Sequence, residues 1–169
     1  LIIASGKNSS LPHAQVTKRK FADGDMITVD LTLRYKGYVS DATRTFGLGS
    51  ISKEAKNIYE IVKESQKAGL KAVRPQKTCA SVDDVCRKII DDNNYGHYFI
   101  HSTGHGIGLD VHENPNISSK NKEKLKKDMA ITVEPGIYIP KKFGVRIEDS
   151  LIVKDRADVM HEFTKDLII

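Results

Sequence analysis

The sequence has little cysteine: Cys79 and Cys86 are the only two among 169 residues. Their separation of seven positions fits neither a zinc ribbon nor a dithiol redox motif. We therefore interpret both as free thiols. Unpaired thiols are typical of a reducing compartment, so the sequence predicts a cytoplasmic protein.

Long apolar runs are also absent. No stretch approaches the roughly 18 consecutive apolar residues of a membrane span. Residues 1–5 lack the charged start and the longer apolar core of a signal peptide. The sequence therefore predicts no membrane partner.

Aromatic residues are missing from the most basic segment. The chain carries a net charge of +5, and much of it lies in the lysine-rich residues 120–127. Proteins that bind nucleic acid stack bases on aromatic side chains, and none interleave with these lysines. We interpret the segment as a solvated loop or helix face and predict no nucleic-acid partner.

An alternating pattern over residues 26–35 predicts a strand with one apolar face in a core, formed by Ile27, Val29, Leu31 and Leu33. Lys36-Gly37 is a turn signal, and residues 38–46 form the return strand. Any hairpin loop with an even residue count places Asp30 and Asp41 on one face. Opposed like charges destabilise a sheet, so such a pair favours a bound cation. The alternative is two aspartates on a solvated face.

Two helices and further strands complete the pattern. We expect one helix from a Ser52 cap to about Val73, and another that begins at a Ser81 cap and breaks at residues 93–96. Strands are predicted at residues 129–134, as one continuous element at 143–153, and near 167–169. The order predicts an α+β domain with both helices on one side of the sheet.

Residues 101–113 combine three histidines with three glycines. Glycine is used where the backbone bends or is approached closely. The segment therefore predicts a bend that presents His101, His105 and His112 to a cavity.

Acidic side chains that face inward on strands are costly to bury unless they are paired or bind metal. One set could form a single centre: Asp30, Asp41, His105, Glu134 and Glu148. Four carboxylates and one imidazole can hold two divalent ions with bridging carboxylates. Such ligands suit manganese, iron or cobalt better than a closed structural zinc site.

Four stretches carry a family resemblance: residues 29–45, 104–113, 132–136 and 145–149. Together they resemble the metallopeptidases that include methionine aminopeptidases, Xaa-Pro aminopeptidases and prolidases. The resemblance implies an α+β pita-bread (creatinase/aminopeptidase-like) fold, a mostly antiparallel curved sheet with helices on its outer face. Residues 1–169 would be the catalytic domain. We expect an N-terminally truncated chain, because the family's first helices and preceding N-terminal domain have no counterpart here.

The resemblance also implies roles. The five residues named above would be the metal ligands of two divalent ions, manganese or cobalt first, with iron or zinc as alternatives. Asp41 and Glu148 would bridge the ions. Glu134 and His112 would be catalytic, moving the proton and contacting the scissile carbonyl. His13 and Arg146 would bind substrate, with a ligand carboxylate as the second option for Arg146.

His101 selects the branch of the family. A histidine four residues before the ligand histidine resembles Xaa-Pro aminopeptidases and prolidases, so His101 would bind substrate and take part in catalysis. The predicted function is cleavage of the first peptide bond of peptides with proline second, by a protein for which a homodimer is one option. The alternatives are a methionine aminopeptidase and a non-catalytic peptide-binding module.

Overall fold

The computed structural model describes residues 1–167. Short 3₁₀ helices lie at Gly6–Ser10 and Gly96–Tyr98. The α-helices are α1 (Lys53–Ala72) and α2 (Cys79–Asp92). The strands are β1 (Ile2–Ser5), β2 (Met26–Tyr35), β3 (Tyr38–Gly47), β4 (Gly104–Gly106), β5 (Glu113–Ile117), β6 (Ala130–Val133), β7 (Gly136–Ile139), β8 (Phe143–Arg146), β9 (Asp149–Val153) and β10 (Ala157–Val159).

All pairings among these strands are antiparallel. One sheet has the order β1-β2-β3, a second has the order β10-β9-β6-β4-β5, and β7 pairs with β8. The β2–β3 hairpin turns at Lys36 and Gly37, both at positive φ, which the twist of a two-residue hairpin loop favours. The register pairs Asp30 with Thr43, so the even loop places the acidic residues of both strands on one face, as predicted.

The prediction for the apolar face of β2 was wrong in its second half. Ile27 is buried, but Leu31 is 37 % exposed and Leu33 is 66 % exposed. The reason lies in the pairing, because β1 covers β2 only from Ile27 to Asp30. Beyond that point the hairpin continues as a two-stranded ribbon.

The helices follow the sequence signals with one shift. Helix α1 starts after Ser52, whose hydroxyl accepts a hydrogen bond from the Ala55 amide at 3.1 Å. Helix α2 is capped by Thr78 rather than by Ser81, which corrects the sequence prediction. Backbone hydrogen bonds tie Lys77 to Leu125 and Cys79 to Glu123, and this anchoring starts the helix three residues earlier.

Residues 143–153 form two strands instead of the single one predicted. Strand β8 pairs with β7, whereas β9 joins the five-stranded sheet. At the break the Glu148 amide donates to the Thr43 carbonyl at 3.0 Å, which attaches this point to β3. The alternation of side chains nevertheless survives, because Glu148 contacts Thr43 while Asp149 contacts Gln66 of α1.

The main core lies between the helices and the sheets. Both cysteines are free and buried in it, as the sequence suggested. Its apolar members include Ile58, Ile61, Val62, Val82, Ile90, Ile131, Val133, Ile137, Val145, Ile147 and Leu151. Since Asp149 faces α1 and Glu148 faces away from it, the helices cover one side and leave the other for a cavity.

Two peripheral predictions complete the comparison. The lysines of residues 120–127 are exposed in an irregular loop, which agrees with a solvated surface. The strand predicted near 167–169 falls partly on residues 168–169, outside the described residues, and residues 160–167 are irregular. No helix of the described chain has both the length and the apolar character needed to cross a membrane.

Candidate metal centre

A cavity of about 660 Å³ lies on the side of the sheets away from the helices. This volume is within the usual range for small-ligand sites. Its lining contains every site residue predicted from the sequence: His13, Asp30, Asp41, His101, His105, His112, Glu134, Arg146 and Glu148. The fold thus brings together side chains from both ends of the chain.

Three of the five candidate ligands form the centre of this cavity. Asp41 of β3, His105 of β4 and Glu148 at the β8–β9 junction each offer a ligand atom, and these atoms lie within 4.8 Å of one another. The His105 Nε2 atom is 4.0 Å from Asp41 Oδ2. The trio is therefore compact enough to surround a metal ion.

The other two candidates border the trio. Glu134 follows β6, and its Oε1 atom lies 3.1 Å from His105 Nε2 and accepts a hydrogen bond from the Thr132 hydroxyl at 3.1 Å. Asp30 of β2 accepts a hydrogen bond from Arg146 Nη2 at 2.6 Å. Both carboxylates are thus fixed by neighbours before any ligand binds.

The backbone sets the tautomer of His105. Its Nδ1 atom lies 2.9 Å from the Gly106 carbonyl oxygen, which can only accept, so Nδ1 carries the proton. Burial opposes the charged ring, but the Nε2 hydrogen bond to Glu134 and the charge of Glu134 outweigh it and raise the pKa of His105. Loss of the Nε2 proton would free the lone pair that faces Asp41 and Glu134 for a metal ion. Histidine ligands commonly have this arrangement, because the second nitrogen orients the ring.

The carboxyl groups are crowded. Burial and then the charge of Asp30 raise the pKa of Asp41 from 3.8 to about 6. Burial, followed by the charges of Glu134 and Asp41, raises the pKa of Glu148 well above its usual range. Asp41 and Glu148 therefore both favour the protonated form in the metal-free protein, and a bound divalent cation would instead favour the ionised form.

Glu148 supplies the most direct indication of a ligand. Its Oε2 atom accepts a hydrogen bond from the Thr43 hydroxyl at 2.6 Å, but Oε1 is buried without a hydrogen-bond partner in the described residues. Buried carboxylate oxygens normally have a partner. A metal ion at the trio would provide one, so these residues fit the group that the sequence predicts.

Arg146 lies behind the carboxylates and is 4 % exposed. It donates hydrogen bonds from Nη2 to Asp30, from Nε to the Thr43 hydroxyl at 3.1 Å, and from Nη1 to the Tyr138 hydroxyl at 2.9 Å. The sequence suggested two roles for Arg146, binding substrate or holding a ligand carboxylate. This geometry supports the second role.

His101 is held on both ring nitrogens. Its Nδ1 atom donates to the Ser102 carbonyl at 2.8 Å, and Nε2 accepts from the Tyr138 hydroxyl at 2.9 Å. Burial lowers the pKa of His101, so the ring is neutral. It therefore contributes a fixed wall to the cavity, connected through Tyr138 and Arg146 to Asp30.

His112 and His13 lie at the exposed rim. The His112 ring centroid is 4.4 Å from that of His105. Burial and the charge of His105 lower the pKa of His112, which favours a neutral imidazole that can donate one hydrogen bond. Arg34 supports this loop, because its Nη1 atom donates to the Leu109 carbonyl at 2.6 Å.

Two contributors were not assigned a role from the sequence. Thr43 holds Glu148, and the β2–β3 register could have indicated this because Thr43 lies directly opposite Asp30. Tyr138 joins Arg146 to His101. It lies in an apolar strand, and no pattern in the sequence distinguishes it from a core residue.

The fold and the site define a class: an α+β protein of antiparallel sheets whose cavity presents carboxylates and an imidazole for divalent cations. Residues 1–155 match the family model of Metallopeptidase family M24, and the chain belongs to this family. The trio is a group of side chains that could hold a metal ion, as membership of a metallopeptidase family leads one to expect.

Similar proteins agree with this assignment. The chain is 47 % identical over 156 residues to the Xaa-Pro dipeptidase of Pyrococcus furiosus, an alignment that covers 92 % of this chain and 45 % of that protein. The prolidase structure from Thermococcus sibiricus superposes with a TM-score of 0.97 at 45 % identity, over 99 % of this chain and 46 % of that one. The X-Pro aminopeptidase structure from Thermotoga maritima gives 0.95 at 38 % identity, over 99 % and 48 %.

These comparisons confirm the α+β pita-bread fold implied by the four stretches, and the relatives named above belong to the Xaa-Pro branch that His101 predicts. The chain spans about half the length of the curated relatives it matches.

Proposed function

We propose that residues 1–169 form the catalytic domain of a metal-dependent Xaa-Pro peptidase. The substrate would be a peptide with proline second, cleaved at its first peptide bond. One structural observation carries the proposal, namely the Asp41–His105–Glu148 trio, in which the Oε1 atom of Glu148 has no hydrogen-bond partner among residues 1–167. The names of the relatives, Xaa-Pro dipeptidase, prolidase and X-Pro aminopeptidase, support the choice of substrate.

The proposed cofactor is a pair of divalent ions, manganese or cobalt, held by the trio together with Asp30 and Glu134. The oxygen-rich ligand set supports this choice. Asp41 and Glu148 are the proposed bridging ligands, because both carboxyl groups are buried among other carboxyl groups. When bound, the two ions would supply a water of lowered pKa and charge stabilisation for the substrate carbonyl.

Glu134 is the proposed proton carrier. Burial acts against its ionisation, but the hydrogen bond to His105 and the charge of His105 outweigh burial and lower the pKa of Glu134. An ionised carboxylate can accept a proton from the attacking water and deliver it to the leaving nitrogen. Delivery is essential because the leaving nitrogen must depart as a neutral amine rather than as an amide anion.

His112 is the proposed hydrogen-bond donor to the oxyanion. A neutral imidazole at the rim carries one N–H, which can donate a hydrogen bond to a developing negative charge. Exposure at the rim also lets His112 and His13 contact a peptide that enters from solvent. Both residues line the cavity beside the trio.

His101 is the proposed wall for the proline ring. Phe99 and Tyr138 contact it edge-on, with centroid distances of 5.2 Å and 5.4 Å. These contacts and its two hydrogen bonds prevent the ring from turning toward a polar partner. A fixed, uncharged surface suits an apolar pyrrolidine ring, which offers no N–H for recognition.

The decisive experiment combines metal content with substrate length. Purified protein loaded with manganese or cobalt is assayed on Ala-Pro, Ala-Pro-Ala and Ala-Ala-Ala. We expect two ions per chain and cleavage of a proline substrate over Ala-Ala-Ala. Cleavage of Ala-Pro alone indicates a dipeptidase, whereas cleavage of Ala-Pro-Ala indicates an aminopeptidase. Metal-loaded protein that cleaves neither would refute the function.

His101→Ala tests the choice of branch. We expect a loss of activity on the proline substrate of about tenfold or more, because one wall of the pocket is removed. His97→Ala is the matched control, since His97 is exposed outside the cavity lining. Undiminished turnover by His101→Ala of a peptide with N-terminal methionine would favour a methionine aminopeptidase instead. Sedimentation of the same protein tests the proposed homodimer.

A further inference from the structure

The segment Met160–Leu167, which we call the C-terminal strap, lies behind the metal-binding trio. It has irregular structure but is attached at several points. The Met160 amide donates to the Ser150 carbonyl at 3.0 Å, and the Gly47 amide donates to the Leu167 carbonyl at 2.6 Å. The Tyr59 hydroxyl donates to the Lys165 carbonyl at 3.0 Å. The strap therefore links β9, β3 and α1.

Two strap side chains converge on Asp149, the neighbour of Glu148. Lys165 Nζ lies 2.5 Å from Asp149 Oδ2, and His161 Nε2 lies 3.2 Å from Oδ1. Gln66 of α1 donates to Oδ2 at 2.8 Å, and Arg44 of β3 donates to Oδ1 at 2.6 Å. Asp149 is 1 % exposed, so a complete set of partners surrounds a buried carboxylate.

Arg44 carries the connection from the strap to the ligands. Its guanidinium donates to the strap carbonyls of Thr164 at 3.0 Å and Phe163 at 3.2 Å. It also donates to the carbonyls of Thr43 at 2.8 Å and Glu148 at 2.6 Å. One buried side chain therefore contacts the strap, the backbone of a metal-ligand candidate and the strand that carries Asp41.

We propose that the C-terminal strap is a positioning element for the metal centre, acting through Asp149 and Arg44 on Glu148. The inference rests on the proposed function, because it takes Glu148 as a ligand. Successive residues of a strand point to opposite faces, so fixing Asp149 behind the sheet also fixes the peptide from which Glu148 reaches the cavity. Metal ligands depend on such supporting contacts for their orientation.

Stability alone is a weaker explanation of this cluster. Buried ion pairs cost desolvation, and well-packed apolar residues often stabilise a fold equally well. Four different groups instead surround the Asp149 carboxylate: a guanidinium, an ammonium, an imidazole and an amide. Their hydrogen bonds fix the position and orientation of this carboxylate. This is the property that a metal ligand requires from its support.

The test is Lys165→Met, which removes the charged end of the side chain and keeps most of its apolar part. Lys154→Met is the matched control, since Lys154 also pairs with an aspartate, Asp158, at 2.6 Å but lies on the surface. We expect Lys165→Met to bind manganese about tenfold more weakly by calorimetry, the size typical of supporting contacts. The absorption spectrum of the cobalt-loaded protein should change as well, and Lys165→Arg should restore both properties.

The two simplest alternatives predict different results. Charge alone predicts stronger manganese binding by Lys165→Met, because a nearby positive charge is lost. A purely structural role predicts a lower melting temperature with affinity equal to that of Lys154→Met. Either result overturns the proposal. If the unsubstituted protein binds no manganese, the proposed function itself fails.

His161→Asn provides a second variant should Lys165→Met fold poorly. His161 contacts Asp149 at a longer distance and is partly exposed, so its loss disturbs the fold less. We expect weaker manganese binding in the same direction and by a smaller factor. Unchanged affinity and an unchanged cobalt spectrum in this variant would overturn the proposal.

Discussion

Asp41→Asn should stabilise the metal-free protein at neutral and basic pH while it damages metal binding. Asp41 is 6 % exposed and lies beside other carboxyl groups. Burial and the charge of Asp30 raise its pKa to about 6 from an ordinary 3.8. The folded state therefore opposes ionisation of this group, and a neutral amide of the same shape removes that opposition.

The magnitude follows from proton linkage. A difference of about 2 pH units corresponds to a cost of about 3 kcal/mol when the group must be ionised in the folded protein. A raised pKa lowers the stability of the folded protein as the pH rises, whereas the lowered pKa of a salt-bridged aspartate increases it. Below pH 3.8 both states of the protein hold the proton and the cost is absent. It grows as the pH rises and reaches its full value above about pH 6, so at pH 5 it is about half as large.

Local hydrogen bonds favour the same outcome. Asp41 Oδ1 accepts from the Thr32 hydroxyl at 3.1 Å, and the carbonyl oxygen of asparagine can keep this contact. Ligand atoms of Asp41 and Glu148 lie within 4.8 Å of each other, and the Oε1 atom of Glu148 lacks a partner in the described residues. The substitution thus adds a donor where an acceptor is available.

Urea unfolding in the presence of a chelator measures this effect. We expect the free energy of unfolding of Asp41→Asn to exceed that of the unsubstituted protein by up to about 3 kcal/mol at pH 8, with a smaller excess at pH 5. Asp84→Asn, an exposed change on α2, should stay within about 0.5 kcal/mol. A less stable Asp41→Asn, or an excess independent of pH, would refute the reasoning.

Metal should cancel most of this difference in stability. Manganese at 100 times its dissociation constant adds about 2.7 kcal/mol to the stability of a protein that binds it only when folded. The unsubstituted protein should gain this amount, whereas Asp41→Asn should gain little because it lacks a bridging ligand. Equal gains in both proteins would remove Asp41 from the proposed ligand set.

Two further predictions follow from the same geometry. Manganese affinity should fall by at least about tenfold per pH unit below about pH 6, because binding must displace the proton held by Asp41 and any proton held by Glu148. Calorimetry from pH 5 to 8 checks this, and a flat profile contradicts it. Gly104→Ala should cost about 3 kcal/mol in chemical unfolding, since its Cβ would lie 2.1 Å from the Thr132 carbonyl oxygen. Gly37→Ala, where a Cβ meets open space, should cost only about 1 kcal/mol for its positive φ.

Parts of the fold that depend on short-range rules could be predicted from the sequence. The β2–β3 hairpin is the best example, because a loop of two residues determines which side chains share a face. The Ser52 cap is similarly local, because the Ser52 hydroxyl accepts a hydrogen bond from the backbone amide three residues later. Gathering of the candidate ligands was predicted with the help of the family resemblance, because the strand pattern alone left two aspartates on a solvated face as an alternative.

Other features depend on contacts distant in sequence. The start of α2 moved to Thr78 because Lys77 and Cys79 are tied to residues 123–125. The division between β8 and β9 reflects a bond from Glu148 to Thr43, and no local pattern encodes it. The exposed end of β2 depends on where β1 stops pairing. Each case is a tertiary contact that overrides a correct local tendency.

The two buried arginines differ in what the sequence could predict: holding a ligand carboxylate was one option for Arg146, whereas Arg44 was assigned no role. An arginine beside a motif reads as a surface or substrate contact, because its own charge gives no sign of its partner. Yet Arg146 reaches Asp30 on β2, and Arg44 reaches Asp149 beyond β8. Each places a permanent positive charge behind a carboxylate on or beside the cavity wall. The metal-free protein can therefore fold around its acidic centre, because the arginines neutralise part of the charge that the metal ions would otherwise have to balance.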